Sequence, residues 1–187
     1  MTRALARPGL AYAASYRAYI RELGDEERYP FPLDFDHADF AALLARLDDL
    51  EAGRNLPPGR VASSTWWLVE SGELIGVSNL RYRLNQDLWR CGGHIGFGVR
   101  PSHRGRGIGT LLMSLTLRQA WQRGIADVHV HCHKANRASA RIIEACGGVL
   151  HSEIEEGPMC QVVQRYVVGA PRGQDRPVGA ECGEGGS

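Results

Sequence analysis

The sequence predicts an α+β single domain in which a mixed, mostly antiparallel central sheet is flanked by helices. Three observations carry this. Runs of β-rich residues interleave with runs of helical period along most of the chain. An apolar share of 43% over 187 residues is enough for one sizeable core and too little for two generous ones. No internal repeat divides the chain.

Tyr12, Tyr16, Tyr19, Ile20 and Leu23 recur at helical spacing and predict an opening helix. Phe40, Leu43, Leu44, Leu47 and Leu50 repeat the pattern, with Asp36 as a candidate cap. Between them Tyr29-Pro30-Phe31-Pro32 predicts extended backbone, and Asn55 to Gly59 breaks the chain again. Thr65 to Glu70, a turn at Ser71-Gly72-Glu73 and Leu74 to Val77 read as a β-hairpin. After a polar loop around Gln86-Asp87, Gly93 to Val99 is a strand, and Gly107 to Trp121 a helix carrying Ile108, Leu111, Leu112 and Leu115 on one face. Val128 to His133 is the next strand, and Arg137 to Cys146 a short helix stopped by Gly147-Gly148. Val149 to Ile154 and Val162 to Val168 close the domain, which is expected to span 8–169. The remainder, 170–187, is rich in Gly, Pro and charge with almost no bulky apolar residue, and is expected to be a disordered tail.

Twenty-two Lys and Arg nearly balance 21 Asp and Glu, so no global field draws the chain onto nucleic acid or anionic membrane. Nowhere do about 18 apolar residues run together, which argues against a membrane span. The five cysteines form no C-x-x-C pair and are expected as reduced thiols in a cytoplasmic protein. The N-terminal stretch, broken by Arg3, Arg7 and Pro8, lacks the apolar run of a signal peptide.

The chemistry gathers at Arg104-Gly105-Arg106-Gly107-Ile108-Gly109-Thr110, where a strand hands over to a helix. Such a turn aims free backbone N–H groups and the positive end of the helix dipole at one point, so an anion belongs there. Glycine lets a phosphate approach the backbone and permits positive φ, while Arg104 and Arg106 can add charge-assisted contacts. Two rival phosphate loops fail on spacing. No lysine follows as a Walker loop requires, and Thr110 stands where a dinucleotide G-x-G-x-x-G would need its third glycine.

Arg104-x-x-Gly107-x-Gly109 resembles the Q/R-x-x-G-x-G/A signature of GNAT acetyltransferases, and Asn136-x-x-Ser139 running to Glu144-Ala145-Cys146-Gly147-Gly148 resembles their second motif. The string from Gly92 to Ser102, with Arg165-Tyr166 in the last strand, is similar to a bacterial subgroup of predicted acetyltransferases. The resemblance implies a GNAT fold splayed between strands 4 and 5, with acetyl-CoA in the cleft as cosubstrate and no metal. It also implies transfer of an acetyl group to a primary amine of a small molecule or peptide, by direct attack in a ternary complex. Its implied cofactor contacts are the backbone of Phe97, Gly98 and Val99, the loop Arg104, Gly105, Arg106, Gly107, Ile108, Gly109 and Thr110, and Asn136 with Ser139. Asn136, at the pantetheine or sulfur end, is equally suited to capping the helix that starts at Arg137, and both roles are compatible. A homodimer is compatible with the resemblance.

Two departures stand out. The tyrosine that many relatives carry seven residues after the asparagine, as acid for the leaving thiolate, is Ile143 here, and the glutamate that many place in the fourth strand is Gly93. His94, the only titratable side chain on that presumed strand, is therefore expected to remove the amine proton, directly or through water. Strict strand alternation would turn it away from that face, so the expectation requires a bulge. A catalytically silent acyl-CoA-binding module is the rival reading.

Arg81 and Arg83, at the end of the hairpin, are candidates for holding a carboxylate or phosphate of the acceptor, or ordinary surface arginines. His129, His131 and His133 alternate along one strand, a spacing that two zinc ligands could use. With no carboxylate or fourth ligand nearby in sequence, they are expected as polar residues on a half-solvated or cleft face. Cys132 and Cys146 are expected in the core as inert thiols.

Overall fold

The computed structural model describes residues 2–157 and 161–171; the expected tail lies outside them from residue 172 onward. In chain order the elements are β1 (Arg3–Ala6), α1 (Ala13–Leu23), α2 (Phe40–Ala52), β2 (Ser63–Glu70), β3 (Glu73–Arg81), β4 (Ile95–Val99), α3 (Ile108–Gln122), β5 (Asp127–His133), α4 (Arg137–Ala145), β6 (Val149–Glu156) and β7 (Gln161–Gly169). The strands form two antiparallel sheets, β1-β2-β3-β4 and β5-β7-β6. They touch where Gly93 bridges to Val130 and the His94 N–H donates to the His129 carbonyl at 2.7 Å. No helix among the described residues is long and apolar enough to cross a membrane.

Each helix is fixed by the face it buries. Tyr16, Tyr19, Ile20 and Leu23 of α1, with Phe40, Leu43, Leu47 and Leu50 of α2, close over Trp67, Leu74 and Val77. On the other side Met113, Leu117 and Ala120 of α3 and Ala140 and Ile143 of α4 cover Ile95, Val128, Val130, Tyr166 and Val168. Ile108 and Leu112 extend this layer onto Leu68 and Ile75, so α3 ties the two sheets together. Fully burying one such aliphatic side chain is worth about 1.5–3 kcal/mol, so the apolar faces, rather than helix propensity, set the layout.

Several expectations need correction. Arg3–Ala6 is a strand, paired with the far end of the hairpin through Arg3↔Glu70 and Ala6↔Trp67. Asp39, not Asp36, caps α2: its Oδ1 accepts from the N–H groups of Ala41 and Ala42 at 3.0 and 3.1 Å, while Asp36 accepts only from Ala38. Phe31–Asp34 forms a 3-10 turn rather than extended chain. The polar loop before β4 contains a π-helical turn, Leu88–Gly92, and β4 itself begins at Ile95.

Candidate active site

β4 is the hinge of the site. The Arg81 N–H donates to the His94 carbonyl and the Arg100 N–H to the Ile75 carbonyl, so the hydrogen-bonded pairs with β3 fall on 94, 96, 98 and 100. The N–H and C=O groups of Ile95, Phe97 and Val99 therefore face the opposite edge. Past the bridge at Gly93 that edge has no strand paired to it among the described residues. Of the three residues expected to offer backbone contacts, Phe97 and Val99 turn their backbone groups to that edge, while the backbone of Gly98 pairs with β3.

Gly96 and Gly98 have a different reason. A Cβ on Gly96 would lie 2.8 Å from the Tyr29 hydroxyl, and one on Gly98 would fall onto the Tyr29 carbonyl oxygen. The segment after α1 thus lies directly on this face of β4, while Phe97 and Val99 pack toward α3 on the other face.

Beyond β4, Arg100 is buried and holds the end of the strand in place. Its guanidinium binds Glu22 of α1 and, at 2.6 Å, Glu73 of β3. The hydrogen bond from Arg100 pulls the Glu22 carboxyl down to about 2. The chain then turns through Gly105 and Gly107, at φ 74° and 72°, into α3. No side chain caps α3 and no acidic residue sits in its first turn, so the N–H groups of Ile108, Gly109 and Thr110 have no helical acceptor. The first bond along the helix is from Leu111 to the Gly107 carbonyl. By contrast α4 is capped: Asn136 Oδ1 accepts from the Ser139 N–H at 3.0 Å, which leaves its Nδ2 unused.

The free edge of β4, the uncapped end of α3 and the start of α4 meet around one cavity of about 770 Å³. It collects Phe97, Gly98, Val99, Arg104, Gly105, Gly107, Ile108, Gly109, Thr110, Asn136 and Ser139 of the expected set. Arg106 is exposed and outside the lining. Arg104 grips Glu26 with both arms, at 3.1 and 2.7 Å, and donates to the Val99 carbonyl, and this pairing holds the Glu26 carboxyl below its usual range.

Three further expected residues stand apart from the cavity. His94 is buried, its Nδ1 accepts from the His129 N–H at 3.0 Å, and burial pushes its pKa down to about 4. An imidazole committed to a neighbouring strand in this way clasps the two sheets together, and the bulge needed to aim it at an amine is absent. Arg81 is also buried, donating to the carbonyls of Gly92 and Gly93 at 3.0 and 2.9 Å, so it pins the turn before β4. Arg83 is exposed. Gly93, at the position of the missing glutamate, packs against the His129 carbonyl, and Ile143, at that of the missing tyrosine, is fully buried.

The lining also contains residues the sequence did not single out for the site: Tyr19, Glu26, Glu27 and Tyr29 from the α1 side, Cys91, and Arg141 of α4. The alternation of glycine with apolar residues at 95–99 was a usable signal, since it marks a strand face that another backbone must approach. His131 and His133 line the cavity as the cleft reading expected. No group of histidines, cysteines and carboxylates suited to a metal occurs among the described residues. Cys132 and Cys146, expected in the core, are half-buried against the layer under α3 and α4, and Cys132 also lines the cavity; burial raises the Cys132 thiol to about 11 and the Cys146 thiol above its usual value.

A family model of the acetyltransferase (GNAT) domain matches residues 10–149. No curated protein matches the chain in sequence. Among solved structures, the chain is similar to yncA, a putative acetyltransferase from Salmonella typhimurium with acetyl-CoA, at TM-score 0.61 and 15% identity over 90% of this chain and 94% of that one. It is similar to an acetyl transferase from the same organism that modifies the N-terminal serine of ribosomal protein L7/L12, at TM-score 0.66 and 12% identity over 91% and 96%. A third is a spermidine N-acetyltransferase chimera built from Vibrio cholerae SpeG and hSSAT, at TM-score 0.62 and 15% identity over 90% and 96%. At these identities the likeness establishes the fold.

Proposed function

Because the chain belongs to the GNAT acetyltransferase family, we propose that it transfers the acetyl group of acetyl-CoA to a primary amine by direct attack within a ternary complex. The observation that carries this reading is the convergence of a free strand edge and a bare helix N-terminus on one cavity. The outward N–H groups of Phe97 and Val99 and the Phe97 C=O suit the amides of pantetheine, which would add to β4 as a strand does, the Val99 C=O being already held by Arg104. The bare N-terminus of α3 suits the pyrophosphate. Asn136 Nδ2 and Arg141 lie on the α4 wall, where they can reach the pantetheine and a phosphate. Arg104 meets the pyrophosphate only by loosening its pair with Glu26.

The amine nitrogen attacks the thioester carbonyl, the C–S bond breaks, and CoA leaves as a thiolate that is then protonated. The outward N–H of Phe97 or Val99 supports the carbonyl oxygen as it gains charge. With His94 committed elsewhere, the amine proton leaves through cleft water toward Glu27, a cavity carboxylate with no ion-pair partner among the described residues. The free thiols Cys91, Cys132 and Cys146 fit a cytoplasmic setting.

The rival reading, a silent acyl-CoA binder, draws on Gly93 and Ile143. An acceptor screen following free CoA separates the two: amine-dependent CoA release with one acetylated product establishes transfer. Acetyl-CoA binding without release under any amine leaves the binder.

A further inference from the structure

The face of β5 and β7 turned away from α3 carries a polar group that the acetyl-transfer reading does not use. His131 is paired across the strands with Arg165. The His129 and His131 rings lie 5.9 Å apart. Trp89, from the turn before β4, packs on His129 with ring centroids 4.4 Å apart and planes tilted by 49°, and the Arg165 guanidinium lies 5.6 Å from the Trp89 ring.

His131 and His129 are 7% and 9% exposed, yet His131 Nδ1 and Nε2, His129 Nδ1 and Arg165 Nε have no hydrogen-bond partner among the described residues. Buried polar atoms are rarely left in this state, because each has given up its water without gaining a partner. Four in one patch point to a partner that arrives from outside. The patch opens into the cavity through His131, which forms part of its wall beside Cys91.

The charge of that partner follows from what surrounds the group. Arg165, His129, His94 and Arg81 all act on His131 as positive or potentially positive neighbours, and no acid among the described residues offsets them there; His151 and Asp127 act on His129. Arg165 has no ion pair among the described residues. Arg81 is spent on the Gly92 and Gly93 carbonyls. One uncommitted guanidinium and two imidazoles that can each offer an N–H balance a single negative charge better than a double one.

We propose that the acceptor is an amine that also carries a carboxylate, a free amino acid in the simplest case, whose carboxylate is received by Arg165 and His131 beneath Trp89. The inference rests on the acetyl-transfer reading and names its substrate class. With the carboxylate held on β5 and β7, His131, which belongs to both the patch and the cavity wall, marks the side from which the amine approaches the free edge of β4. A polyamine offers this patch only positive charge and is disfavoured.

The test pairs the common amino acids with their amides in the CoA-release assay, using wild type, Arg165→Gln and Arg165→Lys, with melting curves to confirm that each variant folds. The preferred amino acid is expected to exceed its amide by roughly 10²-fold in kcat/KM. Arg165→Gln should remove most of that margin while changing the amide rate less than about threefold, and Arg165→Lys should restore part of it. Equal use of acid and amide by wild type, or an equal loss of both in Arg165→Gln, would overturn the proposal. Preference for an aminoalkyl phosphate over every amino acid would overturn the carboxylate in favour of phosphate.

If no amine in either series releases CoA, the transfer reading fails, and calorimetry still decides the patch. Saturable binding of N-acetyl amino acids to the CoA-loaded protein, lost in Arg165→Gln, would support it. No binding to wild type would refute it.

Discussion

At the scale of single residues, Asn136 and His94 illustrate how one side chain's first commitment limits its second. Asn136 has spent its oxygen on the Ser139 N–H and keeps its amide N–H groups for the cavity. Asn136→Ser retains a capping oxygen, so the melting temperature should stay within about two degrees while KM for acetyl-CoA rises roughly tenfold; Asn136→Ala should also lose about 1 kcal/mol of stability with the cap. Chemical denaturation alongside steady-state kinetics checks both. His94 is bound through Nδ1 to the next strand, so His94→Gln, whose amide oxygen can accept the same bond, should keep kcat/KM within about threefold and leave its pH profile in place. A loss near 10²-fold would return the base to His94. The glycine loop was legible because its anion site is built from seven consecutive residues. Tyr29, Glu26 and Glu27 were not, since they reach the cavity from some seventy residues earlier by a path only the packed fold defines.

At the scale of elements, β4 works because its two faces and its edge do separate jobs. Its side chains at 95, 97 and 99 belong to the core layer under α3, its glycines admit the Tyr29 segment, and its backbone edge is left for a ligand. Gly98→Ala places a methyl group against the Tyr29 carbonyl and should cost about 1–3 kcal/mol, with acceptor KM rising more than acetyl-CoA KM because the displaced segment forms the opposite wall. Gly107→Val acts at the next element. Open space surrounds the position, so the penalty comes from a β-branched residue at φ 72° and from the lost approach to the α3 N-terminus. Acetyl-CoA affinity by calorimetry should fall at least 10²-fold with the fold retained. Helix faces were readable from their period, whereas β1 was not: Arg-Ala-Leu-Ala has no β-branched residue, and it is a strand because β2 offers it an edge. The cap of α2 was misplaced for a local reason. Asp36 and Asp39 are both plausible Asx residues three positions apart, and only the start of the helix decides between them.

At the scale of the whole molecule, the junction of the two sheets is made partly of imidazoles held neutral by burial, and this ties global stability to pH. His94 is shifted from 6.5 to about 4 and His131 to about 3, and His129 is lowered as well, with burial the largest cause in each. A histidine whose folded pKa lies below its unfolded value binds a proton more readily after unfolding. Stability is then full above the unfolded value near 6.5 and falls as pH drops through the window toward the folded value. Within that window each such histidine contributes a slope of about 1.4 kcal/mol per pH unit. Glu22, lowered to about 2, acts in the same direction but only below its ordinary value of 4.5. The melting temperature should therefore decline steadily from pH 7 to pH 5, before any carboxylate contributes. His94→Gln should make the decline shallower by one proton's worth, and His94→Gln with His131→Asn by two. If the melting temperature is level between pH 7 and pH 5, these imidazoles titrate normally in the folded chain. The sheets would then be joined by charged histidines, and the assignment of neutral N–H donors around Arg165 would fall with them.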